Sequence, residues 1–568
     1  MADSASMVDG FQSMIGGMHA GLDPEVVPEG SYSLGINVMS RGGLIRTRPG
    51  FTRGPSLPAG VFLGMGSWTL NGSSRIVLVL SGQIVVVDVN TDAVTPLGPA
   101  LSASALCNFV QADRYLVIMN GVDRPVILED LSGVPSVKAT PASFPTGPLG
   151  SYVFGRIHMT PNYVPNTTPP ENGRPYFVSG DVIEPLDPST CLNFIETEYW
   201  SEGGAHGLPL EMGYISAFAP IRNASTGTGY GQLLVFAQRG VSAFDVSVAR
   251  TEWKETGISQ VLFFGPGAVS PWATIPVNST VFYRAVDGLR IISYATSAAQ
   301  SNEILGNVPQ SSEVGPYMDG EDHAYFPRIS AATASNRVFI TAGGVDDVWF
   351  KGLVVLDSAR AYTRASPQAE TAYDGVWQIT DRKIGGVVVA RRSLQDTLFA
   401  YCDDGYLWYF DESSTSDYGL PIQARLVTRA LTISSGPDRK RLKLADVWLR
   451  GLTSSGSVTL RYRPTEFPYW ALAGTQNILI GAGSLAQKRH LSWGFPASPS
   501  IPCDAGESSP LTLATSFQFA IDWTGPMVVP LMRIEVESKP EAPSAPCGDT
   551  VAKTVSVPTG AEELGVWL

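Results

Sequence analysis

The chain has 568 residues and a net charge of −13, and only 16% of its residues are charged, against about 25% in an average soluble domain. The acidic balance argues against a protein that holds nucleic acid through its phosphates, because that grip needs clustered lysine and arginine. The longest apolar runs, RIVLVL (75–80) and QIVVVDV (83–89), are much shorter than the ~20 residues of a membrane-spanning helix. So few charges favour extensive protein–protein contacts instead.

The first segment, residues 1–55, leads into the phrase GLDPEVVPEGSYSLGINVMSRGGLIRTRPGF. In a charge-poor chain, this phrase gathers Arg41, Arg46 and Arg48 among glycines and a proline. Glycine permits a close backbone approach, and a Pro-Gly step sets a tight turn. Taken alone, the phrase is typical of an ordinary β-hairpin that leads into a β-domain.

Residues 56–418 contain short alternating segments bounded by Gly, Asp, Ser and Asn. Four of these segments share a glycine turn that leads into a strand. The glycines are Gly82, Gly240, Gly288 and Gly405, and their separations of 158, 48 and 117 residues are near three, one and two multiples of about 50. A four-stranded propeller blade has roughly this period, and a ring of blades covers both faces of each small sheet. The pattern predicts an all-β fold with an irregular β-propeller of six to eight blades.

The strands of several blades can be placed along the chain. RIVLVL and QIVVVDV belong to one blade, and residues 107–130 supply strands of the next. Residues 214–246 and 374–411 each have the pattern of a full antiparallel blade.

After the propeller, residues 419–538 contain longer strands that alternate more cleanly, which predicts an antiparallel β-sandwich-like module. The basic cluster RKRLK (439–443) is interpreted as a solvated hairpin end or a contact with an acidic partner. Residues 539–568 form an extended C-terminal tail, rich in proline and flexible in isolation. A partner or the body of the protein is expected to hold this tail, with the terminal GVWL as an apolar anchor.

Motifs of common enzymes are missing from the sequence. There is no GxSxG, no HExxH and no GK dipeptide of a P-loop, and no pair of the five histidines has the spacing of metal ligands. Paired carboxylates could serve a glycosidase, but the acidic pairs mostly border turn residues, where Asp is favoured for backbone reasons. The pairs are Glu196 with Glu198, Glu321 with Asp322, Asp346 with Asp347, and Asp403 with Asp404. We expect no enzymatic activity, no cofactor and no metal.

Cysteine usage and the N-terminus bear on where the protein is made. The five cysteines are widely spaced, without a CxxC pair, so reduced and buried thiols are expected rather than a zinc site or a disulfide framework. The N-terminus lacks the basic residue and apolar core of a secretory signal. Synthesis in a cytoplasm is the expectation.

The opening phrase resembles the start of the tail nozzle proteins (tail tubular protein B) of short-tailed bacteriophages. The resemblance lies in the order of short motifs and continues into residues 231–291, which look like the propeller body of similar phage proteins. The motif residues are Gly21, Asp23, Pro24, Pro28, Glu29, Asn37, Arg41-Gly42-Gly43 and Arg48-Pro49-Gly50-Phe51. No large insertion corresponds to a dedicated fibre-docking domain, which leaves tail-fibre attachment open.

The resemblance implies a structural virion protein that forms a ring, commonly a hexamer, in the phage tail. Such a ring lies below the portal and adaptor and meets the host envelope on infection. Viral DNA leaves the capsid through it without sequence-specific binding, and the acidic balance agrees, since an acidic conduit does not trap a polyanion. The alternatives are a propeller-based receptor- or glycan-binding tail component and a glycoside hydrolase.

Two sets of residues follow from this interpretation. Arg41, Arg46, Arg48 and Phe51 are expected at a contact with a neighbouring subunit or the adaptor. The proline-rich segment 158–174 is expected to be the channel gate, whereas the alternative is a surface loop between strands. Its candidate residues are Tyr163, Asn166, Asn172 and Arg174. A second proline-rich loop, 492–510, is assigned to the peripheral module.

Overall fold

In a computed structural model of the protein, almost all regular structure is β-strand. The structure describes residues 4–9, 16–40, 44–98, 100–162, 176–195, 205–222, 230–247, 252–253, 259–277, 280–293, 309–318, 321–346, 348–357, 372–432, 439–465, 467–480, 487–495, 500–502, 508–538 and 561–562. Within these residues the one α-helix is α1 (Gly315–Met318), and short 3-10 turns occupy Pro188–Leu192, Leu210–Met212, Pro271–Ala273, Ser312–Val314 and His323–Arg328. None of these helices has the length and apolar character of a membrane span.

Six strands precede the first repeat. They are β1 (Ser4–Asp9), β2 (Gly17–Met18), β3 (Ser31–Ile36), β4 (Val38–Met39), β5 (Ile45–Thr47) and β6 (Gly50–Ser56). The structure distributes them between both modules of the protein, as described below, rather than setting residues 1–55 apart.

Seven small antiparallel groups of strands follow one another in the described part of the chain and form a β-propeller; five are separate sheets, and the last two belong to a larger sheet that continues into the second module. Blade 1 contains β7 (Phe62–Leu70), β8 (Ser73–Leu80), β9 (Gln83–Asp88) and β10 (Val94–Leu97); blade 2 contains β11 (Asn108–Ala112), β12 (Tyr115–Met119), β13 (Val126–Leu131) and β14 (Val134–Lys138). Blade 3 contains β15 (Leu149–Val153), β16 (Arg156–Thr160), β17 (Tyr176–Ser179) and β18 (Ala205–Gly207); blade 4 contains β19 (Ile215–Arg222), β20 (Tyr230–Ala237), β21 (Gly240–Phe244) and β22 (Ser259–Phe264).

The ring continues with blades 5 to 7. Blade 5 has three described strands, β23 (Thr274–Val277), β24 (Thr280–Ala285) and β25 (Gly288–Ser293). Blade 6 contains β26 (Ala331–Ala334), β27 (Arg337–Asp346), β28 (Trp349–Asp357) and β29 (Ala372–Trp377), and blade 7 contains β30 (Ile384–Arg392), β31 (Gln395–Cys402) and β32 (Tyr406–Asp411). The first strand of each blade contacts the first strand of the next, and β30 contacts β7, so the ring is closed. The prediction of a propeller is confirmed, with seven blades.

The recurring glycines mark one place in the blade. Gly82, Gly240, Gly288 and Gly405 each lie at the turn into the third strand, in blades 1, 4, 5 and 7. These blades are three, one and two positions apart around the ring, in agreement with sequence separations of about three, one and two repeat lengths. At Gly82 the backbone φ is +84°, and a Cβ atom there would lie 2.1 Å from the Leu101 carbonyl oxygen. Glycine is therefore required both by backbone conformation and by space.

Strand β6 of the N-terminal segment closes the ring. It pairs antiparallel with β32, so that Phe51 lies opposite Phe410, and it forms the fourth strand of blade 7. The prediction that residues 374–411 hold one complete blade was therefore wrong. Their first strand, β29, pairs with β28 and is the outer strand of blade 6. The outer strand of blade 7 is β6, which precedes blade 1 in the sequence. This pairing joins the first and last segments of the propeller.

A small pair of strands, β33 (Ser416–Asp417) and β34 (Leu420–Pro421), separates the propeller from the second module. The strands of that module are β35 (Gln423–Thr428), β36 (Lys440–Leu452), β37 (Gly456–Pro464), β38 (Trp470–Ile478), β39 (Gln487–Gly494), β40 (Ser500–Pro502), β41 (Ser508–Pro510), β42 (Leu513–Ala514), β43 (Phe517–Thr524), β44 (Val528–Ser538) and β45 (Ala561–Glu562). The RKRLK cluster does not form a hairpin end: Lys440 is buried at the start of β36, the longest described strand.

Two sheets form the sandwich. One has the order β39-β36-β44-β5-β4, with β1 also on β44, and the other runs β38-β37-β43-β35-β3, with β45 on β38. Their facing side chains, such as Val447, Leu460, Ile521 and Ile534, share one apolar core. Strand β3 also forms a parallel bridge to β29 at Ile36 and Val376, so the sandwich is continuous with blade 6. The N-terminal strands therefore join the two modules.

Candidate functional site

The propeller axis holds a cavity of about 440 Å³. All seven inner strands contribute to its wall, and none of the described residues that line it is charged. The lining includes Gln111, Tyr152, Phe218 and Trp272, and the Trp272 indole N–H donates to the Cys107 carbonyl oxygen at 3.1 Å. One base pair of a duplex about 20 Å wide, with a rise of about 3.4 Å, fills roughly 1,000 Å³, which is more than this cavity provides.

The two acidic pairs whose side chains the structure describes, Glu321 with Asp322 and Asp403 with Asp404, do not line this cavity and lie in structural contacts. Glu321 forms a buried ion pair with Arg284 at 3.1 Å, and Asp322 accepts a hydrogen bond from Ala324 N–H at the start of a 3-10 turn. Asp403 accepts from Lys383 N–H, and Asp404 pairs with Arg382 at 3.0 Å. Glu196, Glu198 and Asp347 lie outside the described residues. The described carboxylates therefore support turns and chain crossings.

The arginine of the opening Arg-Pro-Gly-Phe motif lies in the interior. Only 1% of Arg48 is exposed, and its guanidinium donates to both carboxylate oxygens of Asp417, at 2.7 and 2.9 Å. Its Nε donates to Asn37 Oδ1 at 2.9 Å, and a further nitrogen donates to the Gln378 carbonyl oxygen. One side chain thus connects the strand pair at the module boundary, the N-terminal segment and the connection between blades 6 and 7.

Asp417 and Asn37 complete this network. Asp417 accepts hydrogen bonds from Phe51 N–H at 2.8 Å and from both the N–H and the hydroxyl of Thr380, at 2.8 and 2.7 Å. Asn37 accepts from Gln378 N–H at 2.6 Å. Burial alone would raise the pKa of Asp417, but the Arg48 charge and these hydrogen bonds hold its pKa below the usual carboxyl range.

This arrangement corrects the expected role of two residues. Arg48 and Phe51 were expected at a subunit contact, but the first is bonded within the chain and the second is 0% exposed, with its ring 5.5 Å from that of Phe410. Both side chains are buried within the chain itself. Arg46, by contrast, is exposed on β5, and Arg41 lies outside the described residues. The motif therefore divides into an interior part and a surface part.

The expected gate segment is described only at its beginning. Residues 158–160 continue strand β16, and His158 is buried with its Nδ1 2.8 Å from the Ser179 hydroxyl. The expected loop therefore starts later than predicted. The candidate residues Tyr163, Asn166, Asn172 and Arg174 lie outside the described residues. In the second loop, 492–494 belong to β39, and residues 500–510 include the short pair β40–β41.

Sequence reasoning missed a polar cleft between the propeller and the sandwich, with a volume of about 810 Å³. One wall holds Lys351 of blade 6 and residues 378–383, which connect blades 6 and 7. The opposite wall is formed by β35, β37 and β43. Its charged residues are Lys351, Asp381, Arg382, Lys383, Arg425, Arg461 and Asp522. They come from five separate stretches of sequence, so no local motif could reveal them.

Three cysteines lie in apolar surroundings. Cys107, Cys191 and Cys402 are buried free thiols. Burial raises the pKa of Cys107 and of Cys191 to about 12, and it raises the pKa of Cys402 well above the usual thiol range. Cys503 and Cys547 lie outside the described residues.

No family model matches the chain, and no curated protein matches it in sequence. Among solved structures, it is similar to a chain of the mitotic checkpoint complex, with 10% identity over 64% of this chain and 94% of that chain and a TM-score of 0.37. It is also similar to the Cps50 (Swd1) β-propeller domain of Myceliophteria thermophila, with 12% identity over 62% and 98% and a TM-score of 0.36. A third is YCF48 bound to D1 peptide, with 11% identity over 63% and 95% and a TM-score of 0.34. The closed ring of seven blades, rather than these distant likenesses, establishes the propeller.

Proposed function

We propose that the chain is a structural subunit of a phage tail nozzle, a ring through which the viral genome leaves the capsid. The main support is the opening phrase, which resembles that family and also joins propeller and sandwich through strands β3 to β6. A subunit that carries load between neighbours needs its modules held in a fixed arrangement. Shared sheets and a buried ion pair at the junction provide this.

Electrostatics and geometry support the same proposal. The axial cavity is too small for DNA, so the genome's path would run between copies of the chain, around the centre of a ring. A net charge of −13 keeps such a path from retaining a polyanion. As in similar phage proteins, the ring would be a hexamer that contacts the adaptor near the portal. The chain would be made in the host cytoplasm and become part of the virion tail.

Ring formation by purified protein tests the proposal. Light scattering after gel filtration and negative-stain electron microscopy should show a closed ring of several copies, alone or with the adaptor protein. The variant R46A should weaken the ring while the unfolding midpoint stays unchanged, because Arg46 is exposed and exposed ion pairs contribute only ~0–1 kcal/mol. The matched control is Arg391→Ala, an exposed arginine on blade 7. A chain that stays monomeric with the adaptor and is retained on a glycan array would contradict the nozzle and favour the glycan-binding alternative.

A further inference from the structure

More basic than acidic side chains line the cleft between propeller and sandwich, whereas acidic residues are in excess in the chain as a whole. Five basic and two acidic side chains line it, whereas the whole chain carries 39 basic and 52 acidic residues. The cations lie on both walls, so a bound ligand would contact the propeller and the sandwich together. Such a local concentration of one sign of charge in a concave site attracts an anion.

The sandwich wall holds two arginines around one carboxylate. Arg425 Nε lies 2.6 Å from Asp522 Oδ1, and Arg461 pairs with Oδ2 of the same residue. Two positive charges thus meet one negative charge. All three side chains are about one-fifth exposed, and charges in such a site are screened less than at an open surface. Among the charged residues of this wall that line the cleft, two arginines thus stand against one carboxylate.

The propeller wall is fixed by the interior network. Gln378 and Thr380 are bonded to Asn37, Arg48 and Asp417 beneath the cleft. The next residues, 381–383, supply two cations to the lining. Their backbone is anchored again where Lys383 N–H donates to Asp403 at 3.1 Å. The backbone that carries these charges is therefore fixed before any ligand arrives, which lowers the entropic cost of binding.

We infer that this cleft binds an acidic peptide segment of a partner protein. Arginine presents planar N–H groups that match carboxylates, and the exposed Gln423 amide can bond a peptide backbone. A peptide can place carboxylates opposite Arg382, Lys383 and Arg461 and uncharged residues opposite Asp381.

Single-stranded nucleic acid fits the cleft less well. Its backbone carries a charge on every nucleotide and would meet Asp381 and Asp522, which also line the cleft. Proteins that bind single strands without sequence preference stack the bases on exposed aromatic rings. The aromatic ring among the lining residues that the structure describes is Trp523, which is only 2% exposed.

Binding of a fluorescein-labelled peptide of six glutamates to the full-length chain, followed by fluorescence anisotropy, tests the inference. The wild type should bind this peptide in preference to a six-glutamine peptide, and salt should weaken the binding. The variant R382Q/K383Q should bind at least about tenfold more weakly. K351Q/K383Q should have a similar effect while it leaves the Arg382–Asp404 ion pair in place. Thermal unfolding of each variant establishes that it is folded.

The matched control is R391Q/K488Q, which removes two exposed cations outside the cleft. Its affinity should equal that of the wild type. The inference would be overturned if this control weakened peptide binding as much as the cleft variants do, or if the wild type bound the glutamate and glutamine peptides equally well. Binding of an oligo(dT) of six nucleotides as tightly as the glutamate peptide would overturn it too. The test uses single chains, so its outcome does not depend on the ring proposed above.

Discussion

Replacing Arg48 by methionine should strongly destabilise the protein. The change removes both hydrogen bonds to Asp417 and those to Asn37, the Pro49 carbonyl and the Gln378 carbonyl. Asp417 loses its cation and has no exposed side-chain surface. Removing one partner of a buried pair costs about 3–5 kcal/mol, a large part of the ~5–15 kcal/mol that stabilises a typical protein.

The assay compares R48M with R46M, which makes the same replacement two residues away at an exposed position of β5. Thermal and urea unfolding should show a clearly lower midpoint for R48M and nearly no change for R46M. The double variant R48M/D417A should lose less stability than the sum of the losses of R48M and D417A, because both single changes remove the same ion pair. If R48M unfolds like R46M, or if the two losses simply add, the buried charge pair does not hold this junction together.

Three further predictions concern pH, a turn and the thiols. The pKa of Asp417 is lower in the folded than in the unfolded protein. Its contribution to the free energy of unfolding is therefore complete above the unfolded carboxyl pKa of about 3.9, and it is lost as the pH falls through the pKa of the folded protein. The difference in unfolding midpoint between wild type and D417N should therefore be constant from pH 7 to about 5 and shrink below about 4; a constant difference down to pH 2.5 would contradict this. Gly82→Ala should lower the free energy of unfolding by roughly 3 kcal/mol, because its Cβ would clash with the Leu101 carbonyl oxygen. Gly72→Ala, with φ +80° but open space around it, should lower it by about 1 kcal/mol. Equal midpoints of the two variants in urea unfolding would show that the Leu101 carbonyl moves aside without cost. Cys107, Cys191 and Cys402 should not react with a thiol reagent at pH 8 until urea unfolds the chain. Mass spectrometry of the labelled peptides measures this. Rapid labelling of any of the three in the folded protein would disprove their burial.

The propeller was predictable because its signal is local and repeated. A tight turn before the third strand needs a special backbone conformation, and Gly82 and Gly405 provide it in blades 1 and 7. Each blade also forms hairpins between neighbours in sequence, so alternation within a short window is enough to identify its strands. The assignment of residues 374–411 failed where this locality ends, since the fourth strand of blade 7 comes from residues 50–56.

The interior role of Arg48 could not be predicted for a related reason. Arginine is mostly exposed in proteins, and an arginine in a glycine-rich phrase suggests a surface contact. Its partner Asp417 is 369 residues away and lies in a two-residue strand without a recognisable pattern. The cleft could not be predicted for the same reason, since Lys351 and Arg461 line it from two different modules. Pairing over such distances is decided by the completed fold.

The closure of blade 7 by β6 also constrains the timing of synthesis. Gly50 pairs with Asp411, and Ser4 pairs with Glu537 near the other end of the chain. At roughly 5–20 residues per second on the ribosome, β6 waits on the order of 20 to 70 s for its partner strand. During that interval it is an unpaired edge, and such edges are where nascent chains associate wrongly. Arg53 within β6, Pro49 just before it and Pro55 near its end interrupt the apolar pattern that such association requires, so the strand is protected until the ribosome has delivered blade 7.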